Sequence, residues 1–115
     1  MKVNVIAKLE IEGMHNWPDA KAIFPEVAFL SDMHRHKWFI TVKCPVNHND
    51  RDKEFFILKR DILDYMRDKY YNSSTRTHEF GAKSCEMLAQ EIQKEFDAVY
   101  VSVFEDNECG AEVYL

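Results

Sequence analysis

His34-Arg35-His36-Lys37-Trp38-Phe39-Ile40-Thr41-Val42-Lys43-Cys44 is the stretch on which the fold turns. Successive side chains of an extended strand face opposite ways, so residues two apart share a side. His34, His36, Trp38, Ile40 and Val42 therefore form one face, whose apolar members read as core-facing. The H-x-H pair opens the strand with both imidazoles projecting together, a geometry that suits two ligands on one metal. Two readings of the pair stand on spacing alone: a metal-ligating pair, or a solvated strand end among charged residues.

Upstream, Val3, Val5, Ala7, Leu9 and Ile11 alternate with polar residues, the mark of a half-buried strand interrupted only by Ile6. Gly13 precedes His15 at its end, where a bulge or a close backbone approach is expected. A strand carrying His15 beside the H-x-H strand could supply a third imidazole. Three neutral imidazoles with an open fourth position are the donor set of a catalytic zinc. Residues 16–33 contain Pro18 and Pro25 and read as a long loop with a short helical turn, and loops of this length are more often functional than not. Pro45 ends the second strand, and residues 47–50 form a polar turn.

Downstream the period changes. Phe55, Leu58, Ile62, Tyr65 and Met66 recur at steps of three and four, which predicts a helix over 53–71 with one apolar stripe. Residues 72–83 read as a polar linker. Ser84 is placed as the N-cap of a second helix running to Phe96, with Glu86 in its first turn and Cys85, Leu88, Ala89, Ile92 and Phe96 inward. Val99, Val101 and Val103 alternate with Tyr100, Ser102 and Phe104, a strong strand pattern. Residues 106–110 turn, and 111–115 return as a last strand. The order β-β-α-α-β-β predicts one α+β domain over 1–115, a four-stranded antiparallel sheet with two helices on one face.

Glu105 lies on the valine face of its strand, and here too two readings stand. Either the strand ends at Phe104 and Glu105 opens the turn, or its carboxylate sits at the bottom of a pocket. In the second case it would grip a planar N–H edge such as that of guanine or a pterin. Cys85 reads as a packed thiol on an apolar stripe or as a thiol with a lowered pKa at a helix start.

Composition narrows the function. Fifteen basic against 20 acidic residues give a net charge of −5, and the basic residues never form a run, which argues against nucleic acid and anionic membrane as partners. No segment approaches the about 20 apolar residues of a membrane span, and no secretion signal opens the chain. Three cysteines without C-x-x-C spacing read as reduced thiols in a cytoplasmic setting.

In this order the pieces resemble the 6-pyruvoyl-tetrahydropterin synthase and 6-carboxytetrahydropterin synthase family, which has the tunnelling fold, or T-fold. The family's lone His after the first strand and H-G-H opening the second are similar to His15 and His34-Arg35-His36, with Arg35 in place of the glycine. Its D-F-x-x-L-K resembles Glu54-Phe55-Phe56-Ile57-Leu58-Lys59, and its P-T-[SA]-E-x-x-A resembles Ser84-Cys85-Glu86 with Leu88-Ala89. Its closing strand, with an anchoring glutamate and a later tyrosine, resembles Val99 to Glu105 with Tyr114.

The resemblance implies a zinc-dependent lyase in which His15, His34 and His36 hold zinc. Glu105 would anchor a pterin or purine-like ring, and Glu86 would support that end of the pocket. It also implies a homo-oligomer, a trimer or a hexamer of stacked trimers, which agrees with the open sheet edges of so short a chain. Two family elements are missing. Residues 27–33 contain no cysteine, and no L-D-H precedes the second helix. Asp32 or Glu26 is the expected replacement for the thiol as a base and His78 for the relay. A pocket that binds the heterocycle without turnover is the alternative expectation.

Overall fold

The two longest β-prone runs pair with each other over their whole length. In the computed structural model, which describes residues 1–115, β1 (Val3–His15) and β2 (His34–Val46) form an antiparallel ladder from Val3 opposite Val46 to His15 opposite His34. Alternation decides which side is buried: Ala7, Leu9 and Ile11 of β1 face the core with Trp38, Ile40, Val42 and Cys44 of β2. β5 (Tyr100–Glu105) pairs antiparallel with β2 and adds Val101 and Val103 to the same side. β6 (Cys109–Tyr114) pairs antiparallel with β5 as its hairpin partner and forms that edge of the sheet.

The sheet has six strands and is mixed, where four antiparallel strands were expected. Its order is β3-β4-β1-β2-β5-β6. The extra strands, β3 (Tyr71–Asn72) and β4 (Thr77–Gly81), lie in the stretch read as a linker, and β4 runs parallel to β1. Two- and five-residue strands in polar sequence carry too few apolar residues to show a period. Buried Thr77 and Phe80 are their only inward anchors. β2 also runs past its expected end, with Pro45 inside it opposite Asn4.

Two helices lie on the apolar face, as the α+β reading requires. α2 (Phe55–Tyr70) is N-capped by the Glu54 carboxylate, which accepts from the Ile57 amide at 2.9 Å. It buries Ile62 and Met66, whereas Phe55, expected in the stripe, is exposed and packs edge-on against Phe56. α3 (Cys85–Phe96) starts at Ser84, whose hydroxyl accepts from the Met87 amide at 3.1 Å. It buries Cys85, Leu88, Ala89 and Ile92, as its spacing predicted. Residues 16–33, between β1 and β2, hold one helical turn, α1 (Ala20–Ile23), and a 3-10 stretch over Pro25–Ser31. No helix is long and apolar enough to cross a membrane.

Candidate metal centre

His15 and His34 face each other across the last rung of the β1–β2 ladder, and His36 lies two residues along β2. Residues directly opposite in an antiparallel pair share a side, so the register alone brings the three imidazoles together. One ring nitrogen from each lies within 4.8 Å of the others. His36 is opposite Gly13, and that glycine is required. A Cβ there would stand 2.2 Å from a Phe80 ring carbon and 2.7 Å from Trp38 Nε1. The freed space lets the buried Trp38 indole donate to the Gly13 carbonyl at 2.9 Å, forming a rigid floor beneath His15 and His36. The expected irregularity beside Gly13 is present as a register shift between Met14 and His15 in the β1–β4 pairing.

Every one of the three rings is oriented by its Nδ1 atom. That of His15 meets the Lys83 carbonyl at 2.9 Å, and that of His34 the Asp32 carbonyl at 2.8 Å. His36 Nδ1 lies 2.7 Å from an Asp106 carboxylate oxygen. Carbonyl and carboxylate oxygens only accept, so each Nδ1 carries the hydrogen and each neutral ring keeps its lone pair on Nε2. Such outer partners are what fix the tautomer of metal-bound histidines. The Nε2 atoms of His15 and His36 are buried with no hydrogen bond of acceptable geometry.

Glu105 ends β5 opposite Trp38 and therefore points to the histidine side. Its Oε1 lies 3.0 Å from His15 Nε2 and its Oε2 3.2 Å from His36 Nε2. The strand thus continues through Glu105, and the carboxylate faces the site instead of opening the turn. The close approach of His15 holds its pKa below the usual range despite burial. Burial pulls His15 the other way, but Glu105 and the Lys83 carbonyl outweigh it and raise that pKa. Cys85 follows the packed-thiol reading, and the lowered pKa expected at a helix start is not found. It is buried, yet its thiol reaches Glu105 at 3.7 Å, and burial followed by that carboxylate pushes it up to about 12.

A cleft of about 390 Å³ opens beside the trio, lined among others by His15, His34, Lys83, Cys85, Glu86 and Glu105. Trp17 and Leu30 of the 16–33 connection wall it, so that connection does line the site. A larger hollow, about 570 Å³, lies near Lys8, Glu10 and Lys59 and contains no histidine or cysteine. Chemistry therefore selects the smaller cleft.

The proposed stand-ins for the proton relay land elsewhere. Asp32 contributes its backbone carbonyl to His34, and neither Asp32 nor His78 lines the cleft. His78 Nδ1 is bound to the Glu12 carbonyl at 2.8 Å, its ring stacks on Phe80, and burial lowers its pKa. Sequence reasoning did not assign Asp106 or Lys83. Asp106 reaches His36 because Asp106 and Asn107 both adopt left-handed backbone (φ +54° and +57°), closing a tight turn in which the Glu108 amide donates to the Glu105 carbonyl. An Asp-Asn pair after a strand signals such a turn but not where its side chain reaches.

No protein-family model and no curated protein matches this chain. The fold is similar to the crystal structure of uncharacterized protein WS1659 from Wolinella succinogenes. That likeness has 11% sequence identity, covers 99% of this chain and 98% of that one, and has a TM-score of 0.62. At such identity the likeness bears on the fold alone.

Proposed function

We propose that His15, His34 and His36 hold zinc and that the adjoining cleft takes a pterin or a related nucleotide-derived heterocycle, making the chain a divergent relative of the 6-pyruvoyl- and 6-carboxytetrahydropterin synthases. One observation carries the metal half: three rings are oriented through Nδ1, with one nitrogen of each within 4.8 Å of the others, and the Nε2 atoms of His15 and His36 are buried with no protein donor to satisfy them. Three imidazoles form a donor set that suits zinc, with a fourth position for a further ligand. A bound zinc supplies Lewis acidity toward a substrate oxygen. The chain's own residues do the rest. Glu105 and Glu86 accept from the N–H edge of the ring, and Trp17 and Leu30 supply apolar wall. The pterin assignment rests on the motif resemblance together with the α+β fold.

A second reading, binding without turnover, is favoured by the cleft itself. Residues 27–33 offer no thiol, Asp32 and His78 do not line the cleft, and Cys85 is tied to Glu105. Two measurements separate the possibilities. Purified protein should contain about one zinc per chain, lost in a His34→Ala, His36→Ala double variant; metal-free native protein would remove the basis of both readings. Incubation with dihydroneopterin triphosphate should then release acetaldehyde or triphosphate and a pterin product. Saturable binding with no product leaves the binding module.

A further inference from the structure

We propose that Glu105 is the fourth ligand of the metal, closing the centre as a His-His-His-Glu site until a ligand in the cleft draws the carboxylate away. This deepens the metal reading above and rests on it. Nδ1 of His15 faces a carbonyl and Nδ1 of His36 a carboxylate, so in the neutral rings both Nε2 atoms present lone pairs. Each is met, at 3.0 and 3.2 Å, by an oxygen of Glu105, which has only lone pairs to offer. Two acceptors at that distance repel unless a positive charge lies between them. A proton on Nε2 would serve only if the N–H pointed at the oxygen, and neither contact has that alignment. A cation in the shared space satisfies both nitrogens and the carboxylate at once.

The surroundings hold the carboxylate there. Glu105 is fixed at its backbone by the rung to Trp38, and the Cys85 thiol donates to Oε1 at 3.7 Å. The same oxygens border the cleft, so a planar N–H edge entering it meets Glu105 from the other side. The carboxylate therefore has two partners and one position. A ligand that recruits it opens a coordination site as it binds, which couples heterocycle recognition to metal activation.

Cobalt(II) loading tests this without any substrate, because its visible spectrum reports coordination and azide binds only where a position is open. Wild-type protein loaded with cobalt(II) should show a four-coordinate spectrum that azide leaves unchanged. Glu105→Gln should bind cobalt(II) at least tenfold more weakly, and azide should shift its spectrum saturably. A wild-type spectrum that azide shifts as readily as that of the variant overturns the proposal while leaving the metal site standing. Wild-type protein that takes up no cobalt(II) or zinc overturns both. The wild-type azide titration decides the matter even if Glu105→Gln fails to fold.

Discussion

Replacing Glu91 with glutamine should cost stability in a strongly pH-dependent way. Glu91 projects from α3 into a cluster that joins both helices to the loop before α3. Its carboxylate accepts from Tyr65 at 2.9 Å and Tyr70 at 2.5 Å, and pairs with Lys83 at 2.5 Å and Lys69 at 3.0 Å. Burial alone would raise its pKa, but Lys83, Tyr70, Lys69 and Tyr65 together bring it from the ordinary 4.5 down to about 2. A depression of about 2.5 pH units at ~1.4 kcal/mol each is worth about 3–3.5 kcal/mol at pH 7. Because the folded pKa lies below the unfolded one, this stabilisation is complete above about pH 5 and drains away as pH falls toward 2. Burial and Glu91 raise the Tyr70 pKa, so Tyr70 stays neutral across that range. Urea unfolding followed by circular dichroism, for wild type and Glu91→Gln at pH 7, 4 and 3, isolates the effect, since the other 19 acidic residues titrate in both. The difference should be about 3–3.5 kcal/mol at pH 7 and shrink by most of that amount by pH 3. A difference constant with pH, or below about 1 kcal/mol at pH 7, would refute the reasoning.

Gly13→Ala should lower stability by about 2–3 kcal/mol, a fall in Tm of roughly 10 °C, because the new methyl collides with the Phe80 and Trp38 rings; a thermal melt within 2–3 °C of wild type would contradict it. Asp106→Asn keeps a residue type that tolerates left-handed backbone but removes the charge behind His36, so zinc affinity should fall about 10–100-fold in dye competition with the melt unchanged. Both edges of the sheet are open and exposed Tyr114 and Leu115 end the β6 edge, so light scattering should give three or six times the chain mass; a clean monomer would end the assembly reading.

What the sequence made legible follows physical periodicity. β1, β2 and β5 each repeat every second residue and α3 every three to four, and all four lie where those patterns placed them, down to the Ser84 cap. The β3–β4 hairpin was invisible because it buries only Thr77 and Phe80, and β4 finds its partner by running parallel to a strand more than 60 residues earlier. The site divides in the same way. The histidine trio was readable because i, i+2 spacing fixes a shared face and one antiparallel register brings His15 opposite His34. Asp106 and the Lys83 carbonyl were not, since a turn conformation and a backbone oxygen leave no trace in residue type. Glu105 lay between these cases: its face was legible, while whether the strand reached it depended on pairing with Trp38.

The three imidazoles all belong to the first 36 residues of the chain, whereas the Lys83 carbonyl and the Asp106 carboxylate that steady two of them come 68 and 70 residues later. Synthesis therefore delivers the ligands long before it delivers their braces. A β1–β2 hairpin on its own would offer an ion rings still free to turn about χ1 and χ2, and freezing them would subtract from affinity. Once β4, α3 and the β5–β6 turn have docked, that ordering is already in place and the ion meets rings held still. On the metal reading proposed above, metal affinity would therefore be a gauge of whether the C-terminal half has folded home.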